Sequence, residues 1–163
     1  DANALYRRGF VQEGWKALKT LADTALDFDT SRIYPGIPEY FRADGRGMYH
    51  YLTGAASWYM MTMITQVFGV RGEAGDLLLQ PKLTAAQFDA EGSASVHVTF
   101  AGRRLEIRCQ NPGRLEYGQY RVQKVLCGDA ELCAGSCDSV IIPRRVIEAL
   151  PAEQKQVFTV YLG

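Results

Sequence analysis

The sequence predicts an α+β protein, helical over residues 1–75 and built of antiparallel strands over residues 76–163. Three observations carry this prediction. Apolar residues recur at three- and four-residue spacing in two segments before Gly75. After Gly75 they alternate with period two in segments bounded by turn residues. The grammar changes once, and neither an internal repeat nor a low-complexity segment interrupts it.

The first helix is predicted near residues 8–28. Val11, Trp15, Leu18, Ala22 and Ala25 form an apolar stripe that Leu21, Leu26 and Phe28 widen, and Gln12, Glu13, Lys16, Lys19 and Asp23 fill the other face. Asp27-Phe28-Asp29-Thr30-Ser31 breaks the pattern. Residues 31–48 are punctuated by Pro35, Gly36, Pro38, Gly45 and Gly47 and read as a long irregular loop. Such loops are uncommon in compact domains and often functional. Tyr34, Tyr40 and Phe41 suggest that this one packs against something. A second helix is predicted over 54–68, where Ala56, Tyr59 or Met60, Met63, Ile64 and Val67 keep helical spacing. It is apolar nearly all round, which implies burial on most sides. Trp15 and Trp58 are assigned to the core, and Gly69 is a candidate C-terminal cap.

Beyond Gly75, Leu77-Leu78-Leu79 leads into Pro81. Residues 94–100 and 103–109 alternate on either side of Ala101-Gly102, which predicts a hairpin. Asn111-Pro112-Gly113 and Gly128-Asp129 read as turns. Residues 120–126, 139–142 and 156–162 are further strands, with a short helix or turn over 143–150. Together they make an antiparallel layer of five to seven strands.

Composition excludes several classes of function. The chain has 163 residues, the length of one ordinary domain, and its 47% hydrophobic content supports a sizeable core. Eighteen basic and eighteen acidic residues give a formal net charge of +0, which removes the electrostatic footprint of a nucleic-acid binder. No apolar run reaches the roughly 18 residues that cross a bilayer. The most apolar segment, Trp58 to Val70, is broken by Thr62, Thr65 and Gln66, so no membrane partner is expected. The start, DANALYRRGF, carries neither a signal-peptide pattern nor an initiating Met, and reads as a cut inside a longer chain or as the product of processing. Cys109, Cys127, Cys133 and Cys137 do not follow a zinc-site spacing. They read as reduced structural thiols, with a disulfide only in an oxidising compartment, and no metal is expected.

The candidate chemistry centres on GMYHYLTGAASW, residues 47–58. If a helix begins at Thr53-Gly54, its first amide N–H groups lack intrahelical partners and point outward with the positive end of the dipole. Gly54 removes a side chain that would block close approach, and Thr53 adds a hydroxyl, so the pair makes a plausible phosphate site. The alternative is a Thr N-cap followed by small residues that allow tight packing. His50 either faces the same pocket or is structural, and His97, in mid-strand, reads as a surface or packing residue. Glu39, in IPEYF, either hydrogen-bonds a sugar hydroxyl beside the rings of Tyr40 and Phe41 or is a solvated carboxylate. Arg42, Asp44, Arg46 and Arg71 read as exposed or mutually paired. The chain shows no Ser-His-Asp order, P-loop, G-x-G-x-x-G or metal-ligand cluster, and so no complete catalytic set.

The run YPGIPEYFRADGRGMYHYLTGAASW, continued by FGVRGEAGDLLLQPKL, resembles the carboxy-terminal end of the family 94 glycoside phosphorylases, which include cellobiose, cellodextrin and laminaribiose phosphorylases. The specific motifs fall within residues 5–85, and the likeness continues more loosely to the end of the chain. The resemblance implies that residues 1–75 are the last helices of an (α/α)6-barrel catalytic domain, and residues 76–163 a jelly-roll-like C-terminal β domain. It implies an inverting reaction in which inorganic phosphate attacks the anomeric carbon of a β-glucosidic oligosaccharide while an Asp protonates the leaving oxygen. The product is α-glucose 1-phosphate, and the reaction is reversible. Phosphate is then a substrate, and no cofactor is needed.

By the same resemblance Thr53 and Gly54 form one wall of the phosphate site, and Glu39 lies in a loop that borders the sugar site in relatives, which makes it a candidate for glucose binding. The general acid and the phosphate-contacting Arg and His of the family match nothing here, and His50 is not their equivalent. No catalytic residue is therefore assigned in this chain. Cys127, Cys133 and Cys137 have no counterpart in the family pattern. The implied setting is the cytoplasm, and the implied partners are oligosaccharide, phosphate, and the rest of the catalytic domain or another copy of the chain. A second reading, from a different class, is a non-catalytic carbohydrate-binding or interaction module built on the β layer.

Overall fold

The computed structural model describes residues 2–33, 36–49 and 54–163. The protein is α+β, and its chain forms two compact units, Asp1–Met63 and Ile64–Gly163. The division expected at 75/76 falls inside a hairpin that pairs Glu73 with Asp76.

The first unit begins with α1 (Ala2–Arg7) and α2 (Val11–Leu26). They close on each other through Tyr6 and Gly14, where a Cβ at position 14 would lie 2.6 Å from the Tyr6 ring. Val11, Leu18 and Ala25 are buried, a seven-residue repeat along one line of α2. The stripe is narrower than its sequence predicts. Leu26 and Phe28 are exposed and Trp15 is half-buried. Leu26 lies off the Val11–Leu18–Ala25 line, and Phe28 already belongs to α3 (Phe28–Ser31), which Asp27 separates from α2. The buried Ser31 hydroxyl donates to the Ala25 carbonyl at 3.0 Å and fastens this corner.

The segment expected to be irregular contains a small antiparallel ladder. β1 (Tyr40–Phe41) pairs with β2 (Gly47–Met48), with Tyr40 opposite Met48 and Phe41 opposite Gly47. Between them the Arg42 N–H donates to the Arg46 carbonyl at 2.9 Å, and Arg42 pairs with Asp44 at 3.3 Å. Gly47 is buried, and a Cβ there would press on Ile33 and Pro38, so the ladder reaches its position only with glycine at this point.

The unit ends in α4 (Ala55–Thr62), from which the chain continues as a π turn, Met63–Val67. The helix is apolar around its circumference, as its sequence implies, but it is not buried. Thr62 is its buried residue, while Trp58 is 63%, Met60 58% and Met61 51% exposed. Trp58 is thus not a core residue. A helix apolar on every side needs several neighbours, and among the described residues of this unit α2 is the one longer helix.

The second unit contains β3 (Val70–Glu73), β4 (Asp76–Leu79), β5 (Ser93–Phe100), β6 (Arg103–Gln110), β7 (Val122–Cys127), β8 (Ala130–Cys137), β9 (Val140–Ile142), α5 (Arg144–Glu148) and β10 (Gln156–Leu162). A three-stranded sheet has the order β3-β4-β9, and a five-stranded sheet the order β5-β6-β10-β7-β8. β5 and β6 form the predicted hairpin, turning through Ala101 and Gly102, both at positive φ. β7 and β8 pair antiparallel, as do β7 and β10, but β10 runs parallel to β6. The β layer is therefore two sheets, one of them mixed, rather than a single antiparallel layer. β10 takes a central place because Phe158, Val160 and Leu162 are buried on one face. They join Leu105, Ile107 and Cys109 of β6 and Val122 and Val125 of β7 in the core. Gly69, the expected cap, has φ 64, and a Cβ there would overlap the Gln80 carbonyl. All four cysteines are free thiols; burial pushes that of Cys109 up to about 12.

Candidate functional site

Thr53 and His50 lie outside the described residues. Gly54, the third residue singled out in this motif, is the residue from which α4 starts. Its carbonyl accepts the Trp58 N–H at 2.8 Å, closing the first turn. Its φ of −81° and ψ of −7° are open to any residue, so the backbone does not demand glycine there. The neighbouring side chain gives a different reason for its smallness. A Cβ at position 54 would lie 3.3 Å from Cδ1 and 3.6 Å from Nε1 of Trp58. The indole therefore rests directly against the start of the helix, and Gly54 itself is exposed.

The same indole lines a cleft of about 420 Å³. Asn3 of α1, Leu21 of α2, Glu39, and Tyr59 and Thr62 of α4 complete the walls that matter chemically. Glu39 is exposed, and its backbone N–H donates to the Tyr49 carbonyl at 3.1 Å. Tyr49 holds a positive φ of 54°, uncommon for an aromatic residue, and its ring lies 6.0 Å from that of Tyr40. The Asn3 amide nitrogen donates to the Thr62 hydroxyl at 3.5 Å. Burial, and after it the charge of Asp23, raise the Tyr59 phenol above its ordinary value of 10.0. Tyr59 therefore stays a neutral hydroxyl at physiological pH. A carboxylate, a phenol, an amide and an exposed indole around one concavity suit a polyhydroxylated ring, which takes hydrogen bonds at its edge and apolar contact on its face.

The structure thus joins Gly54 and Glu39, the two described site residues predicted from sequence, through one shared neighbour. Trp58 is the residue that sequence reasoning missed. Its signal was its place four residues after Gly54, one helical turn along, where it covers the helix start.

A separate charged cluster lies in the second unit. Glu106 is buried in the middle of β6, on the face opposite Leu105 and Ile107. Its carboxylate accepts from the Lys155 ammonium, from the Arg108 guanidinium (Nε at 3.0 Å) and from His97 at 3.3 Å. The Lys155 hydrogen bond leads the causes that lower its carboxyl to about 2. Alternation alone places Glu106 on the outward face, so its burial under Lys155, Arg108 and His97 was not foreseen. Arg42 and Asp44 pair with each other, and Arg71 donates to the Gln80 side chain at 2.7 Å and to the Thr65 carbonyl.

Among the described residues, no group of three or more His, Cys, Asp or Glu side chains is arranged to hold a metal ion, and no helix is long and apolar enough to cross a membrane. No family model matches the chain, and no curated protein matches it.

Proposed function

We propose that this chain is part of a cytoplasmic, inverting glycoside phosphorylase that cleaves β-glucosidic oligosaccharides with inorganic phosphate. In this reading the helical first unit supplies the last helices of an (α/α)6 barrel, and the β-rich second unit is its jelly-roll-like C-terminal domain. Thr53 and Gly54 border the phosphate, and Glu39 borders the glucosyl unit. A phosphate oxygen attacks the anomeric carbon from the face opposite the leaving group. The bond from that carbon to the glycosidic oxygen breaks, a general acid supplied outside this chain protonates that oxygen, and α-glucose 1-phosphate leaves. Phosphate arrives as an anion and needs no activating base. The protein's task is to position it and to stabilise its charge.

One observation carries the proposal beyond the motif. The Trp58 indole lies against Gly54 and also lines the cleft that holds Glu39. An anion at the helix start and a sugar ring in the cleft would therefore both border this one side chain, which would bring the two substrates of a glucosyl transfer close to each other.

The exposure of Trp58, Met60 and Met61 supports the same reading, because a barrel helix keeps such a surface covered by neighbouring helices. Here that cover comes from the rest of the catalytic domain or from another copy of the chain. The test is release of α-glucose 1-phosphate from cellobiose, in strict dependence on inorganic phosphate, by the protein that carries this chain.

A further inference from the structure

We propose that the cleft beside Tyr117 in the second unit binds a neutral pyranose, such as a glucosyl unit of an oligosaccharide. The cleft has a volume of about 470 Å³, within the range of small-ligand sites. The inference goes beyond the phosphorylase reading and uses none of its residues.

Its aromatic wall is Tyr117, a residue 36% exposed. The ring stands edge-on to Tyr120, with centroids 6.3 Å apart and planes at 80°. Tyr120 cannot yield easily. Its buried hydroxyl accepts the Leu83 N–H at 2.7 Å and donates to the Leu83 carbonyl at 2.9 Å. A half-exposed ring on a fixed support is a ready surface for the C–H face of a sugar.

The rest of the lining is polar and held in place. The Gln119 side-chain carbonyl accepts the Glu116 N–H at 3.0 Å, and the Gln80 side-chain carbonyl accepts from Arg71 at 2.7 Å. Each amide is thereby oriented so that its NH2 end remains to donate. Arg121 and Asp138, both in the lining, pair at 3.1 Å, and the Arg121 backbone is fixed by two hydrogen bonds with Gly163 at 3.0 and 3.1 Å. Both side chains of the ion pair are more than half exposed, so the pair is weak and opens to ligand hydroxyls at little cost. The guanidinium and the two amides supply donors, and the carboxylate supplies acceptors. Their charges cancel, which favours a neutral ligand over an anion or a cation. A hydroxyl both donates and accepts, and so matches this mixture. A nucleobase would bind best between two parallel aromatic faces, whereas Tyr117 and Tyr120 stand at 80° to each other.

The test is a two-dimensional amide NMR titration of the full chain with cellobiose, without phosphate, using uridine as the comparison ligand. Wild type, Tyr117→Ala and Asp138→Asn are each checked for an unchanged melting temperature. Cellobiose is expected to shift the amides of residues 117–121 and Asp138 with a Kd of about 1 mM, and Tyr117→Ala to weaken binding by about tenfold. If Tyr117→Ala does not fold, Asp138→Asn carries the comparison, with a weakening of about fivefold expected. No cellobiose shifts in the cleft, or wild-type affinity in a folded variant, overturns the proposal. So does tighter binding of uridine to the same residues. Failure here leaves phosphate-dependent cleavage untouched, so the two readings fall separately.

Discussion

Lys155, immediately before β10, donates its ammonium to the carboxylate of Glu106 in the middle of β6, 49 residues earlier in the chain. This contact, with those from Arg108 and His97, holds the carboxyl at about 2 against an ordinary value of 4.5. The folded state therefore resists protonation of this group more than the unfolded state does. The stability it contributes is complete above about pH 4.5 and is lost as pH falls from there toward about 2. Glu106→Gln should cost about 1–3 kcal/mol at pH 7, because it leaves three donors facing a neutral amide. Urea unfolding from pH 7 to pH 3 checks this, and the wild-type and variant stabilities should converge as the pH is lowered.

Tyr120→Phe removes the hydroxyl that serves both the N–H and the carbonyl of Leu83. Leu83 is fully buried, so these backbone groups then lack a partner. The expected loss is about 1–3 kcal/mol, read as a lower urea midpoint with an unchanged denaturant slope.

Gly69→Ala combines two penalties. The backbone sits at φ 64, and a Cβ would overlap the Gln80 carbonyl, which accepts no movement without breaking the bond between the Gln80 N–H and the Gly69 carbonyl. The expected destabilisation is at least about 2 kcal/mol, measured by thermal unfolding. Gly54→Ala is the informative contrast. Position 54 has no positive φ, and its Cβ would meet the Trp58 ring at 3.3 Å, so the fold should tolerate it with a loss of about 1 kcal/mol or less.

Trp58, Met60 and Met61 place three large apolar side chains on the exposed surface of one short helix. The chain on its own should self-associate at concentrations of about 100 μM. The double variant Met60→Lys, Met61→Lys should sediment as a monomer at the same concentration. A monomeric wild type would contradict the proposal that this surface is covered in the working protein.

The parts of the fold legible in sequence are those whose periodicity is unbroken. β5 and β6 alternate cleanly around a two-residue turn, and β10 matches residues 156–162. β8 was not legible. Its residues ELCAGSC lack an alternating pattern of large side chains, and it is an edge strand whose register with β7 shifts twice. The parallel pairing of β10 with β6 was not legible either, since alternation records which face is buried and not which strand lies alongside. For the candidate site, Gly54 and Glu39 were readable from the motif and from the loop around them. The role of Trp58 was not. Apolar spacing assigns a tryptophan to the core by default, and its exposure depends on which neighbours the helix has.

The central claim is that Thr53 and Gly54 border a phosphate that attacks a glucosyl unit. The most direct measurement is the rate of cellobiose cleavage against inorganic phosphate concentration in the protein that carries this chain, for wild type and Thr53→Ala, with the product anomer followed by NMR. The account predicts α-glucose 1-phosphate, no cleavage without phosphate, and in Thr53→Ala a KM for phosphate raised by about tenfold or more with that for cellobiose little changed. Release of free glucose without phosphate, or a Thr53→Ala variant with the wild-type KM for phosphate, would contradict it.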